Sequence, residues 1–256
     1  MLNEFEIHPS LAASDVDRAR TWYAEKLGLN PILEYEDLLK YTIGDSVFTV
    51  YETQSAGTAK NTVAMENVPD LRAEVARLKA RGVVFEDYDL PGLYTEDGIA
   101  DTGDGGLLAW FKDSEGNIVG LAQWPGDDRP PGITAMIAAA DLPRARAWYA
   151  DKLGLTPAQE MEGALNYRSG ASSFTVYATE FAGTAKNTVA VWRVPDLGAE
   201  MTELRGRGVV FEDYDFGDWR TVDGVMTDPE GGLAAWFTDL EGNVLGLAQE
   251  GSAPVS

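Results

Sequence analysis

Apolar residues recur at helical spacing in two stretches of the first half of the chain. In residues 15–27 they fall on one side of a helix, as Val16, Ala19, Trp22, Tyr23 and Leu27. In residues 70–81 the equivalent set is Leu71, Val75 and Leu78. The first stretch begins at Ser14-Asp15, a capping pair, and the second follows Pro69, while Gly28 and Gly82 end them. The pattern predicts helices over 15–27 and 70–81.

Short runs rich in β-branched and aromatic residues surround these helices and predict strands. One run precedes each helix, at 5–12 and 62–68. Three follow each helix, at 31–36, 38–43 and 46–53 in the first case and at 83–89, 106–112 and 117–123 in the second. The element order is therefore β-α-β-β-β, given twice. Before the last strand, DSEGN at 113–117 places Gly116 where a tight turn needs a positive φ.

The second half of the chain repeats the first at an offset of 126 residues. Asp15 corresponds to Asp141 (141 − 15 = 126), and the run GTAKNTVA occurs at both 57–64 and 183–190. Over residues 7–123 roughly three positions in five are identical to their partners. Such halves fold alike, and their differences reflect either drift or the specialisation of one copy.

The repeat predicts an α+β protein of four βαβββ modules in two tandem halves. Each module leaves one sheet face bare, so we expect each half to be a curved mixed sheet around a cavity. The predicted domains are residues 1–123 and 132–256, joined by a proline-rich linker at 124–131.

Composition narrows the classes of function. The net charge of −22 argues against a nucleic-acid partner, and the absence of cysteine excludes disulfides, thiol nucleophiles and thiolate metal sites. No apolar stretch is long enough to cross a bilayer, and the N-terminus has no export pattern. We therefore expect a cytoplasmic protein that binds neither nucleic acid nor membrane, as a monomer or alternatively a dimer.

Three segments carry a resemblance to a known family: HPSLAASDVDRARTWYAEKLGL, VPDLRAEVARLKARGVVF and AWFKDSEGNIVGLAQ. Together they resemble the vicinal oxygen chelate superfamily, which includes glyoxalase I, bleomycin-resistance proteins, fosfomycin-modifying enzymes and extradiol dioxygenases. The resemblance covers nearly all of both halves. Because the superfamily contains metalloenzymes and metal-free binders alike, it implies the fold and leaves the function open.

The resemblance also implies where metal ligands would lie: on the first, fifth and eighth strands of a half. In the first half these positions hold His8, Val63 (or Thr62) and Gly120, and in the second half Thr134, Val189 and Gly246. A lone histidine does not hold a catalytic divalent ion, which needs several converging ligands. We therefore predict no metal and no other cofactor.

Strand alternation assigns side chains to the cavity face if the family's ligand positions point inward. The predicted ligand-binding residues are His8, Ser10, Tyr51, Met65, Trp110, Thr134, Met136, Tyr177 and Trp236, with Tyr94, Trp219 and Arg220 on loops at the cavity mouths. Aromatic walls with a few hydroxyl groups suit a flat or amphipathic organic molecule. Trp110 and Trp236 would equally suit ordinary sheet packing.

Two classes of function remain. The first is a binder of the bleomycin-resistance type that sequesters an aromatic or hydrophobic compound, such as an antibiotic. The second is a metal-independent lyase, isomerase or cyclase with His8 or a cavity carboxylate as its general base. A metal-dependent glyoxalase or dioxygenase ranks third. Whether the protein is an enzyme stays open at this point, with binding favoured.

Overall fold

In the computed structural model, residues 1–90, 92–126, 131–215 and 220–251 are described. The chain divides into two compact units. The first unit is Pro9–Met136, and the second is Ile137–Ser256 together with Met1–His8. Two strands, β1 (Ile7–Ala13) and β11 (Gly132–Ala139), therefore contribute residues to both units.

The first unit contains two helices, α1 (Val16–Trp22) and α2 (Leu71–Ala80). Its other strands are β2 (Leu33–Glu34), β3 (Leu38–Ile43), β4 (Ser46–Glu52), β5 (Thr62–Asn67), β6 (Asp89–Leu90), β7 (Leu93–Tyr94), β8 (Ile99–Asp101), β9 (Leu107–Lys112) and β10 (Ile118–Gln123). They lie in the orders β1-β4-β3-β2 and β11-β5-β10-β9-β8, with β6 and β7 as a separate hairpin. Parallel pairs, β1 with β4 and β5 with β10, alternate with antiparallel ones, so both sheets are mixed.

The second unit repeats this arrangement with α3 (Leu142–Trp148) and α4 (Leu197–Gly206). Its strands are β12 (Gln159–Met161), β13 (Ala164–Ser169), β14 (Ser172–Ala178), β15 (Thr188–Arg193), β16 (Met226–Thr227), β17 (Leu233–Thr238) and β18 (Val244–Gln249). They lie in the orders β11-β14-β13-β12 and β1-β15-β18-β17-β16. The curved mixed sheets, with few helices and two similar halves, confirm the predicted α+β class. The boundaries 1–123, 124–131 and 132–256 stay a prediction, and residues 127–130 of that linker lie outside the described residues.

The helix ends follow from the residues predicted to form them. The side chain of Asp15 accepts a hydrogen bond from Arg18 N at 2.9 Å, which satisfies one of the free N–H groups of α1. The last turn, Tyr23–Leu27, is a π-helix rather than a continuation of α1. It ends at Gly28, whose φ of 78° is a left-handed conformation that glycine adopts without strain.

The π-turn places a tyrosine at the centre of the first unit. Tyr23 packs against Tyr41 and Phe48 with ring centroids 5.1 and 5.9 Å apart, and all three rings are buried. The hydroxyl of Tyr23 donates to Asp113 Oδ2 at 2.9 Å. Asn117 Nδ2 donates to the same carboxylate and to Ala12 O, both at 2.8 Å. This network ties α1, β1 and the turn before β10 together.

The prediction of a strand over residues 83–89 was wrong, because residues 83–88 form no regular strand. Phe85 forms only an isolated bridge with Phe111, and Glu86 N donates to Trp110 O at 2.8 Å. The segment leaves β9 because Tyr88 N donates instead to the hydroxyl of Thr95, at 2.7 Å, and closes a local loop. The predicted strand at 31–36 is likewise reduced to the two residues of β2.

Candidate functional site

Trp110 lies on the face of its sheet that is turned away from the helices. Its neighbour Phe111 stacks on Trp22 at 6.1 Å and meets Phe85 edge-on at 5.7 Å, so Phe111 occupies the helix side. Trp110 points to the other face, where it meets Tyr88 in a T-shaped contact at 5.5 Å. The predicted strand faces are therefore correct here, although Trp110 is only 8% exposed.

Met65 shares this face with Trp110. A Cβ added at Gly120 would come within 2.5 Å of Met65 Sδ and 3.2 Å of Trp110 Nε1. Thr134 is paired with Met65 in the β5–β11 ladder. Thr134 comes from the second half of the sequence, and this pairing brings it beside Trp110 of the first half. The pairing of β5 with β11 therefore groups Trp110 with Met65 and Thr134.

Trp236 holds the equivalent position in the second unit and is more accessible. It is partly exposed and meets Tyr214 in a T-shaped contact at 6.0 Å. A Cβ at Gly246 would come within 3.3 Å of Trp236 Nε1 and 3.1 Å of Val191 Cγ2. Val191 replaces the longer Met65 of the first unit at this position.

Tyr88 and Tyr214 contact the two tryptophans, which strand alternation did not predict. They belong to the repeated run RGVVFEDYD, but both lie outside regular strands. Burial, and then the charge of Glu86, raises the pKa of Tyr88, and burial with Glu212 does the same for Tyr214. Both phenols stay protonated at neutral pH and can donate a hydrogen bond.

The first-strand residues lie in different units. His8 belongs to the second unit and is buried, with its Nε2 3.3 Å from Glu6 Oε2. Ser10 belongs to the first unit and is also buried, and its hydroxyl lies 3.1 Å from Thr49 Oγ1. Both side chains already have polar partners within their own unit.

The remaining predicted wall residues differ in accessibility. Tyr51, Thr134 and Tyr177 are partly exposed, whereas Met136 is 9% exposed. Tyr51 and Tyr177 occupy equivalent positions on β4 and β14 and follow the buried Val50 and Val176. Alternation therefore turns them away from the helix side. Their part in ligand binding stays a prediction.

The predicted mouth residues lie on irregular segments. Tyr94 ends the short β6–β7 hairpin and is 65% exposed. Arg220 is exposed and forms an isolated bridge with Asp215, while Trp219 lies outside the described residues. Tyr94 and Arg220 are thus available at the surface, and their part in ligand binding stays a prediction.

The donor atoms do not fit the metal that the family resemblance implies. At the implied positions only His8 carries a metal-binding side chain, and the glycine positions face Trp110 with Met65, or Trp236 with Val191. Within the part of the chain that the structure describes, no three His, Cys, Asp or Glu side chains are placed to hold a metal ion. A carboxylate at Gly120 or Gly246 would also have to displace the neighbouring side chains.

A shallow hollow of about 450 Å³ lies elsewhere, on the outer surface of α1. Its walls include Asp17, Trp22 and Glu25. Because it lies on the helix side, it does not coincide with either tryptophan wall, and clustered surface carboxylates of this kind are ordinary solvated groups. We place the candidate site on the sheet faces.

Comparison with known proteins places this geometry in a family. The model of the Glyoxalase/Bleomycin resistance protein/Dioxygenase superfamily matches residues 7–121. The first half of the chain is therefore similar to this superfamily, as the sequence resemblance implied. The second half repeats its sequence and its fold. A search of curated proteins gave no match.

Two solved structures with TM-scores above 0.6 show the same fold at low sequence identity. Glyoxalase I from Zea mays superposes with a TM-score of 0.65 at 14% identity, over 95% of this chain and 92% of the maize chain. A candidate dioxygenase from Bacillus subtilis subsp. subtilis str. 168 gives 0.61 at 16%, over 98% and 86%. The bleomycin resistance determinant of transposon Tn5 gives 0.38 at 19%, over 46% and 96%.

Among the described residues, none of the helices has the length and apolar character needed to span a membrane.

Proposed function

We propose that this protein is a metal-free small-molecule-binding protein of the bleomycin-resistance type, which sequesters an aromatic or hydrophobic compound, for example an antibiotic. One observation carries the proposal. In the second unit the partly exposed indole of Trp236 stands beside Gly246, where the family resemblance implies a metal-binding carboxylate, and Tyr214 supports the ring from its edge. A stacking wall thus takes the place of a metal ligand.

The two tryptophan walls are unequal. Trp110 is nearly buried, and Met65 covers the glycine beside it, whereas Trp236 retains accessible surface. An aromatic contact contributes about 0.5–1.5 kcal/mol beyond the burial of its area, but only where the ring can be reached. We therefore assign the principal ligand wall to Trp236.

The other wall residues are proposed with it. His8 belongs to the same unit as Trp236, so it is the polar side chain we assign to this wall. Arg220 and Tyr214 would contact the ligand from the loops. The proposal includes a monomeric protein in the cytoplasm, in agreement with its charge of −22 and the covalent linkage of the two halves.

Binding by the chelator-treated full-length protein tests the proposal. Isothermal titration with a panel of flat aromatic compounds, bleomycin included, identifies a compound that binds. We expect Trp236→Leu to weaken its binding by about tenfold, because the substitution removes the stacking surface while keeping an apolar side chain.

Trp148→Leu is the matched control, since Trp148 lies on α3, where it meets Tyr149 edge-on at 5.3 Å. Its affinity should equal that of the unmodified protein. Equal loss in both variants, or binding that disappears on chelation and returns with a divalent metal, would refute the proposal.

One observation favours a second candidate, a metal-independent lyase, isomerase or cyclase. His8 is the only histidine of the chain and lies 3.3 Å from the Glu6 carboxylate, a pairing that can orient a general base. In that case His8→Gln would abolish turnover of a bound compound and leave its affinity unchanged. A binder would show no turnover in either protein.

A further inference from the structure

A small cleft in the first unit lies at the end of β5, beyond Met65. Its walls are residues 67–69, at the end of β5, and residues 123–126, at the end of β10. Its volume is about 190 Å³, room for about six water molecules, so it suits one ring with a polar substituent rather than a drug-sized compound.

Asn67 contributes an unsatisfied acceptor to this cleft. Its Oδ1 is excluded from solvent and accepts no hydrogen bond from the residues that the structure describes. Buried side-chain oxygens nearly always have a donor, so an oxygen left without one at the wall of a cleft indicates a missing partner with an N–H or O–H group. A rotation of the amide would bring this oxygen to an entering donor.

Trp124 also lines the cleft. A Cβ at Gly106 would come within 2.9 Å of Trp124 Cε3, so the indole lies directly against the backbone of residue 106. Trp124 remains partly exposed. An indole fixed in this way offers a flat surface that attracts a planar cation through its ring electrons.

The second copy shows which group fits this place. The residues equivalent to Asn67 and Trp124 are Arg193 and Glu250, which form an ion pair. The neighbouring contact is the same in both copies, since Gln123 Oε1 accepts from Leu71 N at 2.8 Å and Gln249 Oε1 from Leu197 N at 2.7 Å. At this place the first copy has no guanidinium. It has instead the amide oxygen of Asn67, which can accept a hydrogen bond, and the aromatic surface of Trp124.

We propose that the Asn67–Trp124 cleft is a second ligand site, which binds a small planar cation bearing an amidinium or guanidinium group. The cation stacks on Trp124 and donates an N–H to Asn67 Oδ1. The charge of −22 favours its approach over that of an anion. The site is independent of the Trp236 wall, so either can fail without the other.

Titration with benzamidine tests this site, with benzoate as the ligand of the same ring and opposite charge. Chemical-shift changes of backbone amides in the full-length protein report both affinity and place. We expect benzamidine to shift the amides of residues 67, 68, 123 and 124, and benzoate to bind at least about tenfold more weakly.

The variant N67R/W124E copies the second-half pair into the first half and should lower benzamidine affinity at least about tenfold. The chain already tolerates this pair at the equivalent place. The matched control R193N/E250W makes the reverse exchange and should leave the amide shifts at 67 and 124 unchanged. Equal binding of benzoate, unchanged affinity in N67R/W124E, or shifts confined to other residues would each overturn the proposal.

Discussion

Strands β5 and β15 occupy the same place in their units, yet they present Glu66 and Trp192 at equivalent positions. Trp192 is fully buried, and its Nε1 donates to Ser169 Oγ at 2.8 Å. Ser169 Oγ in turn lies 2.9 and 2.8 Å from the carbonyl oxygens of Leu2 and Phe5. The second unit thus uses the indole to anchor residues 1–5.

Glu66 sits among protein atoms without such a network. Although part of its side chain reaches solvent, burial, and then the charge of Glu74, raises the pKa of its carboxyl to about 7 against the opposing effect of Arg77. The comparison shows that the same hydrogen-bonding residues hold the fold together in both copies. Where the two copies differ on this strand, the residue suits the chain segment that packs over it, which is residues 1–5 in the case of Trp192.

The largest expected effect on stability concerns the hydrogen bonds that are the same in both units, those of Asn117 and Asn243. Asn243 Nδ2 repeats the contacts of Asn117, donating to Ala138 O at 2.8 Å and Asp239 Oδ2 at 2.7 Å. Asn117→Ala and Asn243→Ala should each destabilise the protein by about 2–4 kcal/mol, because each removes one hydrogen bond from a buried carboxylate and one from a buried carbonyl. Chemical denaturation measures this. Effects that differ by more than about 1 kcal/mol would break the claim that the two sets of hydrogen bonds are equivalent.

The second-largest effect on stability concerns Glu66, which differs from its counterpart Trp192, and this effect depends on pH. The unfolded Glu66 ionises near 4.5 and the folded one near 7, so the folded state is penalised increasingly as pH rises from 4.5 to 7. Glu66→Gln removes this penalty and should raise the free energy of unfolding by about 1–3 kcal/mol at pH 8. At pH 4 we expect no gain. A gain independent of pH would show that packing, rather than ionisation, distinguishes the two strands.

The smallest effect concerns the start of α1. Burial acts to raise the pKa of Glu115, but hydrogen bonds from Arg18, Ser14 and Ser114 outweigh it and lower the pKa. The Glu115 carboxylate accepts from Ser14 N at 2.8 Å and from Arg18 Nη2 at 2.7 Å. In the second unit Ser14 is replaced by Ala140, and Glu241 Oε1 is buried without a partner.

Ser14→Ala should therefore destabilise the protein by about 0.5–1 kcal/mol at pH 7, and Ala140→Ser should stabilise it by a similar amount. The lowered pKa of Glu115 means that its contribution is present above pH 4.5 and is lost as the pH falls through the folded pKa. Denaturation at pH 7 and pH 3 checks this. An Ala140→Ser protein no more stable than the original would mean that water already satisfies Glu241.

Local signals in the sequence predicted much of the fold. The cap at Asp15 and the helix end at Gly28 were confirmed, as was the positive φ of Gly116, which is 85°. The period-2 pattern also placed Phe111 and Trp110 on opposite faces of β9. These features depend on neighbouring residues, which the sequence displays directly.

The features that escaped prediction depend on distant pairing. Tyr88 meets Trp110 because the chain around Tyr88 leaves the edge of the sheet and bonds to Thr95 instead. Strand alternation therefore could not predict where the Tyr88 side chain lies. Asn67 and Trp124 form a cleft because β5 and β10 are neighbours that end together. The exchange of both residues in the second copy was the available signal, but its meaning required knowing that the two strand ends meet.

The assignment of Met1–His8 to the second unit has a consequence for biosynthesis. Ile7 N donates to Ser172 Oγ at 2.8 Å, a contact that spans 165 residues, whereas the first unit is built from the continuous segment Pro9–Met136. During vectorial synthesis the first unit can therefore close while the ribosome is still translating the second. Residues 1–8 must wait for β13 to β15, a delay that makes β1 the last strand of the first unit to be completed and the second unit the slower of the two to fold.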